Sequence, residues 1–128
     1  MAMRQSTILV VEDERPMRLI LTNVFTKAGF KVFEAMEGES GLKIALAEHP
    51  DFILLDLLMP KMDGMKMLQE LRGTEWGREA RVAILTNFSN PERVNEAMAN
   101  NVGEFWIKTN WTLANLVKKV KKDLNSSQ

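Results

Sequence analysis

Acidic side chains follow two of the short apolar runs in this chain. Glu12 and Asp13 come directly after Thr7–Val11, and Asp56 lies in the run Phe52–Pro60, where Pro60 and the turn Asp63-Gly64 place the strand end close to the acid. Apolar runs of this length are typical of buried parallel strands, so each acid is predicted at the carboxyl end of a strand. Carboxylates that meet at one point repel each other, and a hard divalent cation with oxygen ligands would keep them ionised. Glu12, Asp13 and Asp56 therefore predict a magnesium site.

Two more apolar runs end in polar groups of a different kind. Thr86 closes Val82–Thr86, and Lys108 follows Glu104–Ile107. A hydroxyl and an ammonium group can hold the oxygens of a phosphoryl group while a carboxylate nucleophile accepts it. One polar strand end is ordinary, because the chain there returns to solvent. Several such ends in one chain are not ordinary, and together they make Asp56 the predicted nucleophile.

The elements that must position these groups alternate between strand and helix. A second strand is predicted at Lys31–Ala35, and five strand-helix units in succession indicate an α/β fold with helices on both faces of a parallel sheet. The predicted architecture is a doubly wound, flavodoxin-like five-stranded parallel sheet with five helices and strand order 2-1-3-4-5. That order makes the first and third strands neighbours, so Glu12, Asp13 and Asp56 should converge.

Apolar residues at helical spacing predict which helix faces the sheet buries. Pro16 is expected in the first turn of the first helix and Gly29 just after its end, while Asn90-Pro91 should begin the fourth helix. The predicted stripes are Met17, Ile20, Leu21, Val24, Phe25 and Ala28 in the first helix; Leu42, Ala45 and Leu46 in the second; Met65, Leu68 and Leu71 in the third; Val94, Ala97 and Met98 in the fourth; and Leu113, Leu116, Val117, Val120 and Leu124 in the last.

Composition limits the classes of protein to which the chain can belong. Its 128 residues are 45% hydrophobic and predict a single domain over 1–128 with a core of about 7–124. Lysine plus arginine equals aspartate plus glutamate at 17 each, so no overall charge favours direct binding to nucleic acid or to an anionic membrane. The chain has no cysteine and no apolar run long enough to cross a bilayer. A cytoplasmic location is expected.

The combined motif closely resembles the receiver domain of two-component response regulators. The matching residues are Glu12-Asp13, Asp56 within Asp-Leu-Leu-Met-Pro-Lys-Met-Asp-Gly, Thr86, Phe105 and Lys108, and the likeness extends from about Thr7 to Leu124. The resemblance implies that Asp56 accepts a phosphoryl group from a partner histidine kinase or a histidine phosphotransfer protein. It also implies that Glu12, Asp13, Asp56 and the Leu58 carbonyl bind magnesium, and that Thr86 and Lys108 contact the phosphoryl group.

The resemblance further implies a signalling switch rather than a metabolic enzyme. Phe105 matches the switch aromatic, whose position is linked to that of Thr86. The surface formed by the fourth helix, the fifth strand and the fifth helix is then expected to change on phosphorylation and to bind a partner or a second copy of the chain. The chain departs from the family pattern at Thr109, where proline usually follows the lysine, and at Asn87, where a small residue is usual.

Two other functions use much of the same chemistry. A magnesium-dependent phosphohydrolase with an aspartyl-phosphate intermediate also needs acids, threonine and lysine at strand ends. Such hydrolases usually have a second carboxylate two residues after the nucleophile, where this chain has Leu58. The other possibility is a degenerate receiver that only binds partners. The sequence leaves open the partner kinase, the output, and whether the chain is a whole protein or a segment of a longer one.

Overall fold

Strands and helices alternate along the chain in the computed structural model, which describes residues 5–56, 64–86, 99, 104–107 and 112–125. The fourth predicted helix, after Pro91, lies outside these residues except for Ala99, which is helical, and so the last helix is labelled α4. No helix of the described part is long and apolar enough to span a membrane. The elements are β1 (Thr7–Val11), α1 (Arg15–Lys27), β2 (Lys31–Ala35), α2 (Gly38–Glu48), β3 (Phe52–Leu55), α3 (Gly64–Arg72), a 3-10 helix (Gly77–Glu79), β4 (Val82–Thr86), β5 (Glu104–Ile107) and α4 (Leu113–Asn125).

The strands form one parallel sheet in the order β2-β1-β3-β4-β5, which is the order that the sequence predicts. Val11, the last residue of β1, is in register with Ala35 of β2 and with Leu55 of β3. Three strands therefore end at the same level. The residues that follow Val11 and Leu55 must emerge side by side at the carboxyl edge of the sheet.

Alternate residues of β1, β2, β3 and β4 contribute to two separate apolar clusters, one on each face of the sheet. One cluster joins Leu9, Val11 and Leu55 to residues of α2 and α3, and the other joins Ile8 and Val10 to residues of α1 and α4. Because helices cover both faces of the sheet, nearly every residue of β1 and β3 and the described side chains of β4 are buried, whichever face they point to. This explains why these three strands are unbroken apolar runs, whereas the edge strand β2 has exposed residues.

Among the described residues of the predicted helix stripes, three are in fact exposed. Ile20 is 43% exposed, Leu46 37% and Leu113 36%. A helix that packs on a sheet buries only a narrow stripe, and in α1 that stripe contains Leu21 and Phe25. In α2 the buried residues are Gly38, Gly41 and Ala45, so small residues rather than Leu46 face the sheet. Leu113 is the first residue of α4, one turn before the buried Leu116.

Gly41 explains why α2 can approach β1 so closely. A Cβ atom at this position would lie 2.9 Å from Val11 Cγ2 and 3.2 Å from Met67 Sδ. Val11 is β-branched and has little freedom to move aside. The absence of a side chain at Gly41 therefore lets the helix pack directly against the last residue of β1, the residue before Glu12.

The segment between α3 and β4 is held by an arginine. Arg72 Nη1 donates to the carbonyl oxygens of Gly77 and Ala80, at 2.7 Å in each case. Burial lowers the pKa of the Arg72 guanidinium from its ordinary value, but an arginine keeps its proton at any physiological pH. A side chain at Gly77 would collide with the carbonyl oxygen of Leu71, so this glycine permits the tight turn.

The amino ends of β1 and β3 are joined by a polar contact between Thr7 and Asp51. Asp51 Oδ2 accepts hydrogen bonds from the Thr7 backbone N–H at 2.8 Å and from the Thr7 hydroxyl at 3.2 Å. The Asp51 N–H in turn donates to the Thr7 carbonyl at 3.0 Å. Since β1 and β3 lead to Glu12 and Asp56, this contact helps to fix the register of the two strands that carry the acids.

Replacement of Asp51 by alanine should destabilise the protein. The half-buried Thr7 N–H would lose its carboxylate acceptor, which typically costs about 1 to 3 kcal/mol in the free energy of unfolding. Urea unfolding followed by circular dichroism would measure this loss. Asp51→Asn retains a side-chain oxygen and should lose less, while Glu48→Ala removes an exposed carboxylate nearby and should change little. Equal losses for Asp51→Ala and Glu48→Ala would show that the contact does not stabilise the sheet.

Candidate functional site

Three carboxylates meet at the carboxyl edge of the sheet. Glu12 and Asp13 follow β1, and Asp56 follows the neighbouring strand β3. Each offers a carboxylate oxygen that lies within 4.8 Å of the others. Glu12 is 2% exposed and Asp56 6% exposed, whereas Asp13 is half-buried. The structure thus brings together the acids whose convergence the strand order predicts, and it leaves one side of the group in contact with solvent.

Backbone hydrogen bonds position Glu12 and Asp56 beyond the ends of their strands. The Asp56 N–H donates to the Val11 carbonyl at 3.1 Å, and the Glu12 N–H donates to the Ala35 carbonyl at 3.0 Å. The ladder of the sheet therefore continues by one residue on β1 and on β3. Because backbone atoms of the central strands carry the acids, their positions follow from the strand register rather than from a loose loop.

The Glu12 side chain and carbonyl are also held from the start of α1. The Glu14 N–H donates to Glu12 Oε2 at 3.1 Å, and Arg18 Nη1 donates to the Glu12 carbonyl at 3.0 Å. Arg18 Nε lies 3.5 Å from Glu34 Oε1 on β2. Reasoning from the sequence missed both Arg18 and Glu34. The available signal was an arginine one helical turn after an acidic strand end, which is too common to single out.

The donor set fits a hard divalent cation. All three ligand groups are carboxylates, and oxygen is the atom that magnesium and calcium prefer in proteins. Two nearly buried acids at such short range would otherwise repel each other and lose hydration. Magnesium usually keeps several waters and uses few protein ligands, and the half-buried Asp13 leaves an open side for them. The cluster is therefore a candidate magnesium site.

The other predicted site residues fall partly within the described chain. Thr86 is the last residue of β4, and Ile84 of that strand is in register with Leu55, so the Thr86 backbone lies at the same edge as Asp56. Phe105 on β5 is in register with Ile84. Leu58 and Lys108, which have predicted roles, lie outside the described part of the chain. Asn87 and Thr109, where the sequence departs from the family pattern, also lie outside it.

Comparison with known proteins identifies the family. The model of the response regulator receiver domain matches residues 8–121. Sporulation initiation phosphotransferase F of Bacillus subtilis is 34% identical over 95 residues, which cover 74% of this chain and 75% of that protein. A probable transcriptional regulator, ycf27 of Porphyridium aerugineum, is 44% identical over 70 residues, which cover 55% of this chain but only 29% of the longer protein.

A solved structure supports the fold independently of sequence. The CheY-like response regulator receiver domain protein of Methanospirillum hungatei JF-1 superimposes with a TM-score of 0.89 and covers 96% of each chain, at 19% sequence identity. At that identity the likeness concerns the flavodoxin-like fold alone. The family match spans nearly the whole described sheet, from the second residue of β1 into α4. The chain therefore belongs to the response regulator receiver domain family of two-component signalling proteins.

Proposed function

We propose that this chain is an active receiver that accepts a phosphoryl group on Asp56 from a phosphohistidine of a partner histidine kinase or histidine phosphotransfer protein. The observation that carries the proposal is the group of three carboxylates with oxygens within 4.8 Å of one another. Receiver domains of this family are phosphorylated by such partners and bind magnesium at an acidic pocket. The acids here provide that pocket.

Asp56 is the carboxylate best placed to be the acceptor. Its strand, β3, lies between β1 and β4 in the sheet. The Glu12-Asp13 pair therefore lies on one side of it, and the end of β4, with Thr86, lies on the other. A phosphoryl group on Asp56 would be flanked by a metal site and by a hydroxyl-bearing strand end, which is the arrangement that phosphoryl transfer requires.

In the proposed reaction, one Asp56 carboxylate oxygen attacks the phosphorus of the phosphohistidine. The new O–P bond forms as the N–P bond breaks, and the electron pair of the broken bond passes to the imidazole nitrogen. Glu12, Asp13 and the Leu58 carbonyl would hold magnesium together with Asp56, and magnesium bound there would supply positive charge that stabilises the phosphoryl oxygens. Thr86 and Lys108 would contact those oxygens.

The proposed consequence is a change of surface rather than turnover of a metabolite. Thr86 and Phe105 lie on the neighbouring strands β4 and β5. If Thr86 moves toward a phosphorylated Asp56, Phe105 can take the space, and the surface of the predicted fourth helix, β5 and α4 is remodelled. Only a partner or second copy that binds the two arrangements with different affinities can respond. Homodimers through this surface are one such response.

The alternatives have less support. The family match favours a receiver over a magnesium-dependent phosphohydrolase, and no observation on the described residues favours the hydrolase. A receiver that only binds partners would share the fold and the acids but would not be phosphorylated. The first experiment below separates this binding module from an active receiver.

Asp56→Asn should prevent phosphorylation. The parent protein, incubated with magnesium and acetyl phosphate, should gain the mass of one phosphoryl group in intact mass spectrometry. Asp56→Asn should not gain it, because a carboxamide cannot form the acyl phosphate. Glu14→Gln is the matched control, since Glu14 is an exposed acid near the cluster, and it should be phosphorylated like the parent. A parent protein that never gains the group would be a binding module, and a phosphorylated Asp56→Asn variant would place the acceptor elsewhere.

Magnesium should stabilise the protein through Asp13. The three acids repel each other in the metal-free protein, and a ligand that binds only the folded state raises the melting temperature. Differential scanning calorimetry should show this rise for the parent and for Glu14→Gln, and should show little or none for Asp13→Asn. A rise of the same size in Asp13→Asn would mean that magnesium binds at another place.

Activation should change hydrogen exchange chiefly between Thr86 and Trp111. Beryllofluoride with magnesium mimics the phosphoryl group, and the movement of Thr86 and Phe105 should alter exchange in peptides that cover β4, β5 and the residues between them. Peptides of β2 (Lys31–Ala35), at the far edge of the sheet, should not change, and Asp56→Asn should not respond. Unchanged exchange between Thr86 and Trp111 in a saturated parent protein would contradict the proposed switch.

A further inference from the structure

Arg18 of α1 contacts both the end of β1, at Glu12 of the acid cluster, and the neighbouring strand β2. It lies one turn into α1, and its side chain is 13% exposed. One guanidinium nitrogen, Nη1, donates to the Glu12 carbonyl at 3.0 Å, while Nε lies 3.5 Å from Glu34 Oε1 on β2. The Arg18 N–H also donates to the Glu14 carbonyl at 2.9 Å. The arginine therefore ties the β1-α1 junction to the neighbouring strand.

We propose that Arg18, oriented by Glu34, is a positioning residue for the magnesium site: it fixes the backbone of Glu12 so that the Glu12 and Asp13 carboxylates face Asp56. The inference rests on the proposed function of the acid cluster and adds a residue that does not belong to the ligand set. Arg18 acts through the Glu12 carbonyl and needs no contact with the metal or the phosphoryl group.

The contacts of Glu12 show why one more hydrogen bond matters. Its N–H is held by the Ala35 carbonyl, its Oε2 by the Glu14 N–H, and its carbonyl by Arg18. The first contact fixes the end of β1, and the second fixes the carboxylate. The third fixes the peptide plane between Glu12 and Asp13. Loss of this hydrogen bond removes one restraint on that peptide plane, and a rotation there would carry the half-buried Asp13 away from Asp56.

An arginine suits this position better than a lysine. The guanidinium presents several N–H donors in a rigid plane, so it can reach a carbonyl with one nitrogen and a carboxylate with another. A lysine ammonium is a point charge on a flexible stem and can satisfy one partner well but not both in fixed geometry. The Glu34 contact restrains the guanidinium plane and thereby aims Nη1 at the Glu12 carbonyl.

The direction in which magnesium affinity changes when Arg18 is removed distinguishes a positioning role from a purely electrostatic one. A positive guanidinium close to a divalent cation repels it, so charge alone predicts that removal of Arg18 would tighten magnesium binding. Positioning predicts the opposite, because a misplaced Glu12-Asp13 pair binds the cation less well. Groups that orient metal ligands without touching the metal commonly contribute about 10- to 100-fold to metal affinity.

The test is a magnesium titration of the full chain by isothermal calorimetry, with parent, Arg18→Ala, Arg18→Lys and Glu34→Gln. Arg18→Ala should raise the magnesium Kd by about 10-fold, the lower end of the range for groups that orient ligands. Arg18→Lys and Glu34→Gln should each raise it by less, because each retains part of the linkage. Arg15→Ala is the matched control: it removes an exposed positive charge from the first turn of the same helix and should bind magnesium at least as tightly as the parent.

The rate of phosphorylation by acetyl phosphate supplies a readout that general destabilisation would not reproduce. Arg18→Ala should need more magnesium for half-maximal rate, yet approach the parent rate when magnesium saturates. The double variant Arg18→Ala/Glu34→Gln should be no worse than Arg18→Ala, since Glu34 acts only through Arg18.

Unchanged or tighter magnesium binding by Arg18→Ala would overturn the inference, as would an equal change in Arg15→Ala. If Arg18→Ala does not fold, Arg18→Lys and Glu34→Gln decide, and parent-like magnesium binding by both would overturn it. Failure of the proposed function looks different, because the parent protein itself would then bind no magnesium or accept no phosphoryl group.

Discussion

The mutual repulsion of three carboxylates at one edge of the sheet is the constraint on which the site depends. Glu12 and Asp56 are almost fully buried, and their oxygens and that of Asp13 lie within 4.8 Å of one another. Such an arrangement opposes folding unless a cation offsets the charge. The chain holds the acids there through backbone atoms, since the sheet ladder continues through the N–H groups of Glu12 and Asp56. The sheet edge thus holds three negative carboxylates close together, where a magnesium ion could offset their charge.

The packing behind that edge is arranged to leave the acids little freedom. Both faces of β1 are covered by helices, and Gly41 allows α2 to press directly on Val11, the residue before Glu12. At the opposite edge of the sheet, the carboxylate of Asp51, the residue before β3, accepts a hydrogen bond from Thr7, the first residue of β1. The proposed switch involves the other side of the site, toward β4 and β5, where Thr86 and Phe105 lie.

The sequence predicted the strands well because their signal is local. The bounds of β1, β2, β4 and β5 are those expected from the apolar runs, and Asp56 follows β3 directly. The alternation of strand and helix indicated a parallel sheet, and the strand order was predicted as the commonest one for a doubly wound sheet of five strands. The structure has that order, and it brings the three acids together. The family motif added the roles of Phe105 and the Leu58 carbonyl, and these roles, like those of Thr86 and Lys108, remain predictions.

Contacts between residues that are distant in the chain, and close packing at a glycine, could be found only in the tertiary structure. The bridge from Arg18 to Glu34 and the contact between Thr7 and Asp51 join different elements, and nothing in the local pattern pairs these residues. Helical spacing placed Ile20 and Leu46 in the core, but the width of the buried stripe depends on how closely a helix approaches the sheet. Gly41 sets that approach in α2. The sequence thus determined which residues lie at the site edge, because strand ends are local, whereas the network that holds them there depends on packing between elements.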